Sequence, residues 1–331
     1  MTDEWTREKL LELGGGFRIC RIFLSAAELD LFSKLRDNPR TVQALAADEG
    51  WDPRGLRILM DALVSQGLLF KDDHGEYAVP EALAEWLTGG GDDTILPMTL
   101  HQAHLWSSWS RLTEIVRTGM NPGTVPVKKR SREELESFIG AMHVIGRTMA
   151  ARIADSLDLS RYKRMLDVGG GSGTYLMAFL KKSDQLTGTL FDLPDVVELA
   201  RERLAENGLI GRVELATGDY NKDPLPPGHD LALLSAVIHI NSREQNRVLY
   251  ANVYRSLESG GTILIRDHIM DATRTIPPDG AIFAVNMLTA TSGGDTYPFD
   301  DIKEDLESAG FRDVRLIRDG GQMDQLVAAV K

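Results

Sequence analysis

The chain has 331 residues, 43% apolar and 26% charged, with 49 acidic against 37 basic side chains and a net charge of −12. That length accommodates two domains and a sizeable core, while the acidic balance disfavours nucleic acid or an anionic membrane surface as the main partner. The single cysteine, Cys20, excludes an intrachain disulfide and a thiolate metal cluster; no apolar run approaches the ~18 residues of a membrane span, and the opening Met-Thr-Asp-Glu-Trp has no signal-peptide pattern, so a cytoplasmic protein is expected.

Residues 8–36 place Phe17, Cys20, Phe23, Leu24, Ala27, Leu31 and Leu35 on one helical stripe, which predicts a buried Cys20. Gly14-Gly15-Gly16 interrupts that stripe and predicts a helix break; no strand precedes it, so a phosphate loop is the poorer reading. Thr41 caps a short helix over 42–48. Asp52-Pro53 opens another, with Leu56, Leu59, Met60, Leu63 and Val64 on one face and Gly67 at its end. Leu68-Leu69-Phe70, a polar turn over 71–75 and Tyr77-Ala78-Val79 read as a hairpin. Helix, helix and hairpin in that order make a winged helix. Residues 41–90 carry nine acidic and three basic side chains, net −6, which repels phosphate. The module is therefore expected to mediate dimerisation rather than bind DNA.

Residues 98–120 predict a helix carrying His101, His104, Trp106 and Trp109, and 133–158 another with Phe138, Met142, Ile145, Met149 and Ile153 on one face. Asn121-Pro122-Gly123 and the Lys128-Lys129-Arg130 run lie between them in a solvated loop. The Trp and Met positions read as core or as a substrate wall. From residue 163 strands alternate with helices: strands over 164–168, 187–192, 212–217, 230–237, 262–268, 312–318 and 325–330, helices over 174–181, 194–206, 243–258, 279–290 and 300–309. Such alternation predicts an α/β fold with a doubly wound, mostly parallel sheet. The tight turn Asp319-Gly320-Gly321 predicts an antiparallel last strand. Ligands of such sheets bind beyond the carboxyl ends of the strands.

The central stretch is Arg164-Met-Leu-Asp-Val-Gly-Gly-Gly-Ser-Gly-Thr-Tyr175, a strand running into a glycine turn. Gly169, Gly171 and Gly173 let backbone approach a ligand where a Cβ would collide. The dinucleotide spacing needs a glycine at 174 and finds Thr174, which disfavours a nucleotide-dependent oxidoreductase. Asp167 immediately precedes the turn. Asp192, with Leu193 beside it, ends the second strand 19 residues after Gly173 and can accept from a ribose diol. Gly218-Asp219-Tyr220 ends the third, where Asp219 can accept from an adenine amino group and Tyr220 can cover the ring. Ser235 lies in the fourth, before His239. Strand alternation turns His268 away from Asp267. Nothing in the spacing draws His101, His104, His143 and His239 into a metal site, and no metal is expected.

Asp167-Val-Gly-Gly-Gly-Ser-Gly173, Phe191-Asp-Leu-Pro194, Gly218-Asp219 and Gly260-Gly-Thr-Ile-Leu-Ile-Arg-Asp267 resemble the motifs of class I S-adenosylmethionine-dependent methyltransferases. More narrowly, the chain is similar to the small-molecule O-methyltransferases typified by plant caffeic acid O-methyltransferase and by bacterial antibiotic and pigment methyltransferases. Ala26-Ala-Glu-Leu-Asp-Leu-Phe32 and Pro53-Arg-Gly-Leu-Arg-Ile-Leu-Met60 resemble that family's N-terminal dimerisation module. The resemblance implies a Rossmann-like seven-stranded sheet over 161–331, a winged-helix dimerisation domain over 1–97 and a helical linker and substrate cap over 98–160. It also implies S-adenosylmethionine on the glycine loop, a homodimer, and methylation of a hydroxyl on an aromatic or polycyclic molecule. His239 stands at the general-base position and Asp267 at that of the carboxylate orienting it; a second carboxylate falls near Asp295-Thr296. Trp106, Trp109, Phe138, Met142, Asn286 and Met287 are candidate walls for the acceptor. The family's His-Asp-Trp is here His239-Ile240-Asn241. That departure keeps two alternatives open: carbon methylation of a tetrapyrrole or similar ring, and a non-catalytic donor-binding regulator.

Overall fold

In the computed structural model of the protein, residues 4–89, 93–121, 132–321 and 323–331 are described. The chain divides into two compact units, Met1–Trp106 and Ser107–Lys331. The first begins with helices α1 (Arg7–Gly15), α2 (Phe17–Glu28) and α3 (Leu31–Arg36). Gly14 and Gly15 stay helical, so the break falls at Gly16 alone; a second, at left-handed Asp30, separates α2 from α3. Strand β1 (Arg40–Thr41) leads into α4 (Val42–Glu49), where the Thr41 hydroxyl accepts from the Ala44 amide. Helix α5 (Pro53–Ser65) starts where the Asp52 carboxylate accepts from the Gly55 amide. The hairpin β2 (Phe70–Lys71) and β3 (Glu76–Ala78) adds to β1 in the order β1-β3-β2, and α6 (Glu81–Leu87) follows. Leu31, Phe32, Leu35, Leu45, Met60, Leu63 and Tyr77 fill one core. Cys20 is exposed, contrary to expectation. Only Leu24, Ala26 and Ala27 of α2 are buried; Ile22 and Phe23 pack against the core in part, and the first turn extends past it.

The unit boundary falls inside α7 (Leu96–Trp109), and α8 (Leu112–Thr118) follows; one expected helix is therefore two, interrupted at Ser110-Arg111. The Pro122-Gly123 and Lys128-Lys129-Arg130 segments lie outside the described residues. After α9 (Arg132–Asp155) come β4 (Arg164–Val168), α10 (Thr174–Lys182), β5 (Thr187–Asp192), α11 (Pro194–Glu206), β6 (Val213–Thr217) and β7 (His229–Ser235). Then follow α12 (Arg243–Ser256), β8 (Leu257–Asp267), β9 (Ile269–Met270), α13 (Pro278–Ala290), β10 (Tyr297–Pro298), α14 (Phe299–Ser308), β11 (Arg312–Arg318) and β12 (Gln325–Val330).

Seven strands form one sheet in the order β11-β12-β8-β7-β4-β5-β6. Strands β4 to β8 are parallel, and β12 runs antiparallel to both neighbours, as the Asp319-Gly320-Gly321 turn predicts. Successive strand residues point to opposite faces, and each face carries a core. Leu166, Val168, Ala232, Leu234, Ile263 and Ile265 pack on one side, Met165, Leu190, Leu231, Leu233 and Leu264 on the other. Strand order reverses between β4 and β7, and the crevice beyond their carboxyl ends is the switch point where such sheets bind ligands.

Helix α12 is held to α14 by a buried carboxylate. Asp305 accepts from Arg243 Nε at 2.8 Å and from Arg247 Nε at 2.7 Å, and Arg243 also reaches Asp301. Asp305→Ala leaves both guanidinium groups short of an acceptor and is expected to lower stability by about 1.5–3 kcal/mol. The measurement is a urea titration, with a lower midpoint at unchanged slope; an unmoved midpoint would show that the clamp does not contribute.

Candidate active site

The glycine turn sits at the end of β4. Gly169, Gly171 and Gly173 have φ of 67°, 55° and 75°, a region that strongly favours glycine. A Cβ on Gly169 would lie 2.9 Å from the Val237 side chain and 3.4 Å from the Tyr220 ring, so Tyr220 is brought against the loop as well. Asp167 is 1% exposed and lies beneath the loop, where its Oδ2 would be 2.9 Å from a Cβ on Gly170. That oxygen has no hydrogen-bond partner among the described residues. Burial, reinforced by the Asp192 carboxylate, pushes the Asp167 carboxyl up to about 7.

Asp192 is held differently. Its Oδ2 accepts from the Gly171 amide at 2.8 Å and its Oδ1 from the Leu193 amide at 2.7 Å. Burial raises this carboxyl to about 6 against the lowering effect of both N–H groups. Each oxygen keeps a free lone pair, the requirement for receiving both hydroxyls of a vicinal diol. Asp219 forms a tight turn, accepting at Oδ1 from the Asn221 amide at 3.1 Å and pairing at Oδ2 with Lys222 at 3.1 Å. Ser235 pairs in register with Arg266 of β8, whose guanidinium lies 4.7 Å from the centroid of the Tyr175 ring.

Strand β7 ends two residues earlier than expected, because Ala236 adopts φ +58°. The chain turns there, and His239 rides on the 3-10 turn Ile238–Ile240. Its Nδ1 meets both oxygens of Asp267, at 2.8 and 2.9 Å, with the two residues 6% and 1% exposed. Burial by itself would raise the Asp267 carboxyl; His239, Arg266 and the His268 amide outweigh it and hold the group below its usual range. Because Nδ1 faces a carboxylate it carries the proton, which makes Nε2 the acceptor of the neutral ring. The Phe283 ring meets the imidazole edge-on, centroids 4.8 Å apart.

His268 and Asp295 stand otherwise than strand alternation and the resemblance imply. His268 does not face away from the site: its ring also packs on Phe283, at 5.0 Å. Strand β8 stops at Asp267, so alternation does not extend to 268. Burial holds its imidazole below the usual range, and Nδ1 has no hydrogen-bond partner among the described residues. Asp295 does not offer its carboxylate to His239. That group pairs with Arg274 at 3.0 Å, and it is the Asp295 amide that meets His239, donating to its carbonyl at 3.1 Å.

The candidate walls separate. Trp109 Nε1 donates to Asn286 Oδ1 at 3.1 Å, which aims the rest of that carboxamide, and Met287 is buried beside Asn286 on α13. Phe138, like Leu193 and Leu199, packs against the cluster of Leu135, Ile139 and Val196 and so stands on the Asp192 side. Met142 is half-buried on α9. Trp106 belongs to the first unit, where Arg21 lies over its ring. Helix α9 is tied to the glycine loop by His143 Nδ1, 2.7 Å from Thr174 Oγ1, which in turn lies 2.7 Å from Ser172 Oγ. Nothing in the spacing signals that link, nor the contacts of Phe283 and Tyr175, since each joins elements far apart in sequence. Among the described residues no three His, Cys, Asp or Glu side chains gather as metal ligands.

Fold, strand order, glycine loop and strand-end carboxylates define a class I S-adenosylmethionine-dependent methyltransferase. Residues 109–312 match the O-methyltransferase domain and residues 11–89 the O-methyltransferase dimerisation domain; the chain belongs to that family. It is 35% identical to the 3-hydroxy-5-methyl-1-naphthoate 3-O-methyltransferase of Streptomyces sahachiroi, over 93% of this chain and 90% of that one. It is 30% identical to the tetracenomycin polyketide synthesis 8-O-methyl transferase of Streptomyces glaucescens, over 92% and 91%. The crystal structure of human N-acetylserotonin methyltransferase in complex with SAM superimposes with a TM-score of 0.85 at 27% identity, covering 100% of this chain and 99% of that one.

The buried Asp167 gives a pH signature. Its folded value, about 7, lies above the unfolded one, so the folded chain keeps a proton between about pH 4 and 7 that the unfolded chain has released. Stability from this group is thus full at low pH and lost as pH rises through about 7. Asp167→Asn is expected to raise Tm by roughly 4 °C or more at pH 8 and by little at pH 4. Equal shifts at the two pH values would refute a strongly raised carboxyl.

Proposed function

We propose that this chain transfers the methyl group of S-adenosylmethionine to a hydroxyl oxygen of a small aromatic or polycyclic acceptor, with His239 as general base. One observation carries the reading: an imidazole fixed by Asp267, with Nε2 as its acceptor nitrogen, on the turn that follows β7 at the switch point. The naphthoate and tetracenomycin enzymes among its relatives support an aromatic hydroxyl as the acceptor.

The glycine loop receives the amino-acid end of the donor, Asp192 its ribose hydroxyls, Asp219 the adenine amino group, and Tyr220 the face of the adenine. When bound, the donor supplies an electrophilic methyl carbon and departs as a neutral thioether. Trp109, Asn286 and Met287 orient the acceptor, and Phe138 closes the ribose side beside Leu193. His239 Nε2 takes the hydroxyl proton as the oxygen–carbon bond forms, and Asp267 balances the imidazolium. Orientation of this kind contributes roughly 7–11 kcal/mol to such a displacement and a positioned base about 10²–10⁴-fold. No metal is needed, because proton removal rests on the imidazole. The first unit serves as a dimerisation module: residues 11–89 match one, and α1 and α2 leave Leu10, Leu11, Leu13, Phe17 and Ile19 exposed for a second copy to cover.

Purified protein incubated with labelled donor and a panel of hydroxynaphthoates and phenols is expected to yield O-methylated product. His239→Ala is expected to leave S-adenosylhomocysteine affinity intact, read by calorimetry, while turnover falls at least tenfold; unchanged turnover would remove His239 from the role. Asp192→Ala is expected to weaken donor binding at least tenfold, and equal affinity would refute the ribose assignment.

A further inference from the structure

The reaction above makes no use of three asparagines that line up between the donor loop and the base. Asn246, 2% exposed on the first turn of α12, donates from Nδ2 to the Ile238 carbonyl at 2.8 Å. Its Oδ1 accepts from Asn241 Nδ2 at 3.1 Å. Asn241, 1% exposed, accepts at Oδ1 from Asn221 Nδ2 at 3.1 Å, and its carbonyl accepts from the Tyr297 hydroxyl at 2.5 Å. Asn221 donates its backbone amide to Asp219. Each carboxamide donates to the next, so one hydrogen-bonded line runs from Asp219 to the carbonyl of the residue preceding His239. Its loose end is Asn221 Oδ1, buried with no hydrogen-bond partner among the described residues.

Buried carboxamides are costly unless paired, and an apolar contact would hold a turn equally well. What a hydrogen-bonded line adds is directional linkage between its two ends. Asn241 is also the residue that stands in place of the tryptophan of His-Asp-Trp, so the line occupies the point at which this chain departs from its family.

We propose that Asn221, Asn241 and Asn246 form a positioning relay: donor bound at Asp219 steadies the Ile238–Ile240 turn and with it the His239 imidazole against Asp267. The relay rests on the methyltransferase reading, with Asp219 at the adenine. It makes the base turn firmer with donor present than without, an energetic coupling carried by contiguous contacts.

Hydrogen exchange of the full chain, read by mass spectrometry on peptides spanning 236–242, tests this with saturating S-adenosylhomocysteine as the probe. In the unaltered chain the probe is expected to slow exchange of the turn at least fivefold. Asn221→Ala cuts the line at the donor end and leaves Asn241, Asn246 and Ile238 joined; with probe bound, its turn is expected to gain less than twofold. Asn241→Ala is expected to show the same loss and a lower kcat at unchanged acceptor KM. Should Asn241→Ala fail to fold, the half-buried Asn221 position decides alone. Equal protection in Asn221→Ala and the unaltered chain would overturn the relay, as would a turn indifferent to bound probe. Failure of the probe to bind the unaltered chain would overturn the methyltransferase reading first and the relay with it.

Discussion

A carboxylate taken out of water must find hydrogen-bond donors or a counter-charge, or give up its charge. Three carboxylates at the carboxyl ends of one sheet meet that demand in three ways, and the site follows from the differences. Asp192 is held by the Gly171 and Leu193 amides. Asp267 is held by an imidazole and by the His268 amide. Asp167 has neither on its Oδ2 and is pushed up to about 7. The carboxyl ends of one sheet thus present a carboxyl pushed up to about 7 beneath a glycine loop, a hydrogen-bonded one with room for further donors, and one held below its usual range against an imidazole.

These roles depend on the turns that follow the strands. The β4 turn is built from glycines with positive φ, and the Asp192 contact to Gly171 exists because that turn directs an amide toward β5. Beyond β7, Ala236 breaks the strand and the short 3-10 turn swings His239 over the end of β8. That turn is held from several sides, by Asn246, by the Asp295 amide and by the Ser242 capping box that starts α12. The clamp of Asp305 on Arg243 and Arg247 then anchors α12 itself. The His239 imidazole is thus supported by successive layers of contacts.

In the first unit the physics is plainer. Two capped helices and a hairpin bury Met60, Leu63 and Tyr77, while α1 and the start of α2 carry apolar side chains that are exposed among the described residues. An apolar surface of that sort fits association with a second protein surface, and residues 11–89 match a dimerisation domain.

Much of this was legible along the chain, because the signals are local. Strand–helix alternation after residue 163, the glycine turn, the Thr41 and Asp52 caps and the Asp319-Gly320-Gly321 reversal each depend on neighbouring residues, and the strands they mark were found within a few positions. Asp267 and His239 were paired by resemblance, 28 positions apart, and the geometry joins them. What composition and spacing did not carry was set by contacts between distant elements. Cys20 is outside because the core ends before it reaches the start of α2; His268 turns inward because β8 stops one residue earlier. Asp295 answers to Arg274, and Trp109 meets Asn286 across 177 positions. By itself the sequence determined the sheet, the loop and which residue types stand at the strand ends. Only the tertiary structure decided which of them touch, because side-chain partners depend on how elements pack, and packing is a property of the whole chain.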